Sequence, residues 1–421
     1  MKAVRFRRVV SPCPSTKPGE LAWLFLIVLL ALPLMAQSDP PLVGLRAELE
    51  RFRTEVPEHP ETRGASPRLT TIKHQLRDWI ESQLVQLPSD PNGEAGAETA
   101  LGYRLNAELK REHLLREGDE TDIDDSWSRI GLLGDVRLDY NQRQAFLVVH
   151  TAVEVICGFD ESAYLYRWKN GRWTRIWETE QNLYTKDEYK VQRIRAVLVS
   201  PKFNETSPYY VLTLGTEPWC SSNWHDVYVR LWSLSSSGRE PKLLIDKSQW
   251  AFLGSHDIPV QGSAGRDDAL IEYTVGSFDL GVFAREAVLH YLLTPDRAER
   301  IDPVALSPRG FVDEWLAEPW EESRLRSQPS ALATLRQAHD DSGRDEFILP
   351  TRHCRTPDLW QVGLEPTEGK KGPAYYLVRW RPPYHFTMLQ VSEHPFPTCI
   401  EKDPAADDEY RTLFPVQDWR E

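Results

Sequence analysis

The chain has 421 residues, a formal charge of −13, 41% hydrophobic residues and 15 tryptophans. That is enough apolar material for one large domain or two ordinary ones, and too much for a disordered chain. An acidic surface repels phosphate backbones and anionic lipid, so nucleic acid is set aside as a partner.

The first 36 residues differ from the rest. Lys2, Arg5, Arg7, Arg8 and Lys17 precede an unbroken apolar or proline run from Leu21 to Ala36. The run falls short of the ~20 residues of a bilayer span, and Pro33 interrupts it. Residues 1–36 therefore read as an export signal, with Leu34-Met35-Ala36 ahead of Gln37 as the cleavage point. Leu34 is larger than the usual residue at that place, and an uncleaved anchor is the alternative. No cysteine directly follows the run, so a lipid anchor has no nucleophile there. Removing the leader takes away a net +4 and leaves −17 on 385 residues, in a periplasmic or extracellular setting. Membrane contact is expected only through an uncleaved leader.

Cys13 leaves with the leader, and Cys157, Cys220, Cys354 and Cys399 remain. An even count in an oxidising compartment suggests two disulfides. Three pairings are open. Cys157–Cys220 and Cys354–Cys399 are favoured, because each pair falls in neighbouring units of the pattern described next.

Residues 37–125 read as a helical segment with an acidic linker. Leu42, Leu45, Leu49 and Phe52 recur at helical spacing, as do Leu69, Ile72, Leu76, Trp79, Ile80, Leu84 and Leu87. Ser66-Pro67 opens the second run, and Leu101, Leu105, Leu109 and Leu114 outline a third. Docking on the next domain is the simplest use of these stripes; a partner-binding arm is the other. The acidic run Glu117–Asp125 lacks the glycine and terminal glutamate of an EF-hand loop and reads as solvated linker.

From Ser126 the period changes to two. Ala163–Trp168 and Trp173–Trp177 flank Asn170-Gly171, a turn pair suited to positive φ. Paired strands recur at Val227–Trp232 with Lys242–Ile245, Val288–Leu293 with Ala298–Ile301, and Tyr375–Trp380 with Phe386–Leu389. Two further strands precede each of the first three hairpins: Val136–Tyr140 with Ala145–Val153, Arg193–Val199 with Tyr209–Leu214, and Trp250–Leu253 with Ala269–Val275. Trp168, Trp232 and Leu293 mark the repeat; Trp380 follows an insertion, Arg309 to Asp341, with helix-like runs. Gly262-Ser263-Ala264-Gly265 reads as a loop. The expected fold is mainly β with helical additions: repeated four-stranded antiparallel units, propeller-like or a stacked β-sandwich, after the N-terminal helical segment. Three units fill residues 126–305; the insertion and a final β unit fill 306–421.

Two loops entering third strands stand out. Cys157-Gly-Phe-Asp160-Glu161-Ser162 precedes one hairpin, and Trp219-Cys220-Ser-Ser-Asn223-Trp224-His225-Asp226 the next. A Cys157–Cys220 bond would bring Asp160, Glu161, His225 and Asp226 together. Two carboxylates and an imidazole could then run acid–base chemistry or hold a cation; a disulfide staple with solvated flanks is the competing reading. Trp219 and Trp224, with Asn223, could form a sugar-stacking platform or pack in the core. His353-Cys354 with His394 and Cys399 could be drawn as a zinc set, but the compartment favours a disulfide. Neither cofactor nor metal is assigned. Asn204-Glu-Thr206 is a possible glycan acceptor. The leading expectation is a non-enzymatic binding or scaffolding module of the cell envelope or secretome, contacting a glycan or another envelope protein. The alternative is a secreted hydrolase, acting on glycans, that uses Asp160 or Glu161 with His225 or Asp226.

Overall fold

The structure, a computed structural model, describes residues 40–54, 68–89, 96–116, 130–141, 145–155, 158–180, 192–201, 207–216, 224–235, 240–252, 260–264, 267–276, 284–341, 346–366 and 373–399. The leader, the acidic run and Asn204 lie outside them.

The N-terminal stripes fold as helices α1 (Pro40–Thr54), α2 (Arg68–Leu84) and α3 (Ala97–Arg111). Leu114 is buried but lies past the end of α3: His113 takes a left-handed conformation, and the Leu114 N–H returns to the Leu109 carbonyl, closing the helix.

The β part comprises four antiparallel four-stranded sheets, each with its strands paired in chain order. The first holds β1 (Arg137–Asn141), β2 (Phe146–Val155), β3 (Gly158–Lys169) and β4 (Arg172–Glu178). The second holds β5 (Arg193–Val199), β6 (Tyr209–Thr216), β7 (Trp224–Leu234) and β8 (Lys242–Phe252). The third holds β9 (Val260–Ala264), β10 (Asp268–Gly276), β11 (Ala284–Leu293) and β12 (Ala298–Arg300). The fourth holds β13 (Glu346–His353), β14 (Leu359–Pro366), β15 (Ala374–Arg381) and β16 (His385–Ser392).

Alternation along the strands builds the layers. Tyr164 and Tyr166 of β3 join the core shared with α1–α3, while Ala163 and Leu165 join the core shared with the second sheet. In β6, Tyr209 and Val211 face that same core, and Tyr210, Leu212 and Leu214 face the third sheet. Every residue of β6 is buried, as suits a strand covered on both faces. The layers run: helices, first sheet, second sheet, third sheet. The helical insertion supplies α4 (Pro308–Ala317), α5 (Trp320–Ser323) and α6 (Leu332–Asp341). Phe311 and Trp315 of α4 and Leu335 of α6 share a core with Trp360, Val362 and Tyr376 of the fourth sheet. Ser307 caps α4 by accepting the Gly310 N–H, with Pro308 at the first helical position. The stripe of Leu69, Ile72, Leu76 and Trp79 is fully buried, so docking on the first sheet accounts for it.

Two strand expectations need correction. Residues 250–252 do not open the third unit; they complete β8, whose pairing with β7 extends to Trp224↔Phe252. The third sheet opens instead at Val260–Ala264, so Gly262-Ser263-Ala264 is not a loop: Ser263 pairs with Leu270. Small residues suppress the period-two signal there, and a long strand's tail looks like a new strand.

Asn170 and Gly171 form the predicted turn, with φ of 54° and 78° and Trp168 opposite Trp173. Cys354 and Cys399 form the predicted disulfide, tying the turn after β13 to the segment after β16. The Arg355 N–H donates to the Thr398 carbonyl beside it.

Candidate functional site

Of the residues nominated from sequence, Asp160 and Glu161 are placed most fully, and both differ from expectation. They are strand residues, because β3 begins at Gly158, and they face opposite ways. Asp160 points toward α2, where its Oδ2 lies 2.8 Å from Lys73 Nζ; the two side chains are 0% and 1% exposed. Its Oδ1 accepts the Gln192 N–H at 3.2 Å. Glu161 turns toward the second sheet. It accepts the Ile194 N–H at 2.7 Å, and Arg193 Nε lies 3.9 Å from its other oxygen. The Glu161 N–H in turn donates to the Gln192 carbonyl at 2.7 Å. Beyond the end of β4, the chain entering β5 is thus stitched to the free upper part of β3. Burial raises the Glu161 pKa, opposed by the Ile194 bond and by Arg193, Arg137 and Arg195.

Asp160 and Lys73 belong to a row of polar contacts along α2. His74 Nε2 lies 3.5 Å from Glu180 Oε2, and the Tyr164 hydroxyl donates to Glu180 Oε1 at 2.7 Å. Arg77 meets Glu178 at 3.3 Å; Glu81 accepts from Arg175 and from the Tyr166 hydroxyl, each at 3.0 Å. Burial alone would raise the Glu180 pKa. The His74 ring beside it, the Lys73 charge and the Tyr164 hydroxyl bond outweigh it and hold Glu180 at about 2.

The apolar residues of α2 give no sign of this row. The signal was present at Lys73: it stands four residues after Leu69 and three before Leu76, so a charge falls on the buried face. A buried cation needs a carboxylate partner.

The second nominated cluster is placed in part. Trp224, His225 and Asp226 open β7 rather than forming a loop, with His225 opposite Ala251 and half-buried Asp226 opposite Trp250. Cys157, Trp219, Cys220 and Asn223 lie outside the described residues, and with them the Cys157–Cys220 pairing.

A second buried polar centre joins the insertion to the sheets. Arg300 of β12 reaches Glu314 at 3.0 Å and Glu318 at 2.8 Å; Arg326 meets Glu318 at 3.4 Å. Lys247 of β8 lies 3.2 Å from Glu322 and 3.9 Å from Glu318. Burial raises the Glu318 pKa, with Arg300 opposing and Glu314 reinforcing. These groups pair with one another, as load-carrying cross-links between layers do.

Among the described residues, no three His, Cys, Asp or Glu side chains are placed to hold a metal ion. The Cys354–Cys399 bond takes both thiols that a zinc set would use. A cavity of about 300 Å³ lies on the fourth sheet, lined by Leu349, Arg352, Gln361, Glu365, Pro373 and Tyr375, and includes none of the nominated residues. Among the described residues, no helix is long and apolar enough to cross a membrane. No protein-family model matches the chain, and no curated protein matches it in sequence.

Proposed function

We propose that this is an exported, non-enzymatic binding or scaffolding module of the cell envelope or secretome, built as an open, propeller-like stack of repeated sheets. Its contact surface is the segment Trp219–Asp226, of which Trp224–Asp226 open β7, and its ligand is a glycan or another envelope protein. The observation that carries this reading is the commitment of Asp160 and Glu161 to Lys73, Gln192 and Ile194. Carboxylates held between layers are poorly suited to acid–base turnover, which favours the binding reading over a hydrolase that uses Asp160 or Glu161 with His225 or Asp226. The disulfide is in keeping with an oxidising compartment.

The test is a glycan microarray, including peptidoglycan fragments, probed with the purified protein and with its Trp219→Ala and Trp224→Ala variants, together with a glycosidase assay on the same compounds. Binding that the variants lose supports the reading. Turnover that survives in the wild type but vanishes in Glu161→Gln restores the hydrolase. Binding unaltered in both tryptophan variants removes the proposed surface.

A further inference from the structure

A chain of buried polar bonds runs from the helical layer into the second sheet. Lys73 Nζ meets Asp160 Oδ2 at 2.8 Å, and Asp160 Oδ1 accepts the Gln192 N–H at 3.2 Å. The Gln192 side-chain oxygen then accepts the Tyr228 hydroxyl at 3.0 Å. All four residues are under 5% exposed. They belong to α2, β3, the entry to β5, and β7, so the path crosses three layers. Tyr228 lies across its strand partner Gly215, where any Cβ would overlap the phenol oxygen. That glycine leaves the phenol room to lie across β6. By contrast, the contacts of Arg77 and Glu81 with Glu178, Arg175 and Tyr166 end on the first sheet.

We propose that this path is a conformational coupling through which the docking of α2 sets the position of β7, the strand that begins with Trp224–Asp226. The consequence for ligand binding rests on the contact surface proposed above; the coupling does not. In a water-excluded site a polar group that loses its partner has no solvent to replace it. Withdrawing Lys73 leaves the Asp160 charge to be neutralised or redirected. Its hold on the Gln192 N–H then slackens, and with it the acceptor of Tyr228. Because a coupling free energy is reciprocal, a change made at Tyr228 must be felt at α2.

Hydrogen–deuterium exchange on the full chain tests this. Lys73→Met is expected to speed exchange of the β5 and β7 amides about tenfold or more, while Arg77→Met leaves β7 unchanged. Tyr228→Phe keeps the ring and removes the hydroxyl; it is expected to speed exchange in α2. Unchanged β7 exchange in Lys73→Met, or an equal effect from Arg77→Met, overturns the proposal. Should Lys73→Met fail to fold, Tyr228→Phe decides, and unaltered α2 exchange in that variant overturns it. Glycan binding measured on the same variants separates the two ideas. Altered exchange with no binding in any variant, wild type included, supports the coupling and rejects the contact surface.

Discussion

Lys73 and Asp160 form an ion pair from which water is excluded, one residue on a helix and the other on a strand 87 positions later in the chain. Desolvating two charges costs several kcal/mol each, and their attraction returns that only with good geometry and further hydrogen bonds. Removing one partner is therefore worse than removing both. Asp160→Leu alone is expected to destabilise the chain by about 3–5 kcal/mol, whereas Lys73→Met with Asp160→Leu recovers part of that loss, the Gln192 N–H still lacking its acceptor. Urea unfolding of the wild type, of Lys73→Met and Asp160→Leu singly, and of the double variant measures it; strictly additive single effects would refute the account.

His150 gives a pH prediction. Burial, reinforced by Arg137 and opposed by Asp139, lowers its pKa to about 4. The unfolded chain then binds a proton that the folded chain refuses between pH 6.5 and 4. Stability is fully present above pH 6.5 and falls through that window as pH drops, by about 3 kcal/mol at most. Glu180, held at about 2, adds a second loss of the same sign between pH 4.5 and 2. His150→Gln is expected to flatten the upper window and leave the lower one intact. Melting temperature against pH reads both.

Gly171 tests the hairpin without packing complications. Its φ is 78°, and a Cβ there would have nothing within 4 Å. Gly171→Ala therefore meets only backbone strain, about 1–2 kcal/mol. Gly215→Ala must displace the Tyr228 ring and is expected to cost more. Equal losses in denaturant melts of the two variants would remove the packing argument.

The Cys354–Cys399 bond closes a loop with a sequence separation of 45. Loop-closure entropy assigns it about 4 kcal/mol. Cys354→Ala with Cys399→Ala is expected to lower stability by roughly that amount. Exchange should rise most in the turn after β13, where the Arg355–Thr398 bond is anchored. Comparing the variant with the wild type, with and without reductant, measures the effect; an unshifted melt would rule it out.

The Arg300 centre should behave as a cross-link. Arg300→Met takes the guanidinium away from Glu314 and leaves Glu318 to Arg326 and Lys247, with an expected loss of about 3 kcal/mol and faster exchange in α4. Retained protection in α4 would show that its apolar face suffices to hold it.

Much of this architecture was legible in particular residues. The stripe from Leu69 to Leu84 fixed α2 and its buried side, and Asn170-Gly171 fixed a hairpin and its register, because both patterns are local. The strand boundary at Trp250 was misplaced for the opposite reason: how far β8 runs depends on how far β7 extends beside it. The candidate site was less legible still. Asp160 and Glu161 are adjacent in sequence and look like one acidic feature, yet alternation along β3 sends them to different layers. Only the position of Lys73 within an apolar stripe hinted that Asp160 was already engaged.

The order of the layers has a bearing on how the chain is made. Each sheet is a meander of consecutive strands, and each core unites elements that follow one another in the chain. A polypeptide emerging N-terminus first can close the core of α1–α3 on the first sheet once β4 has appeared. Each later sheet then finds a finished surface to settle on, so the nascent chain need never hold a long apolar strand in waiting for a distant partner.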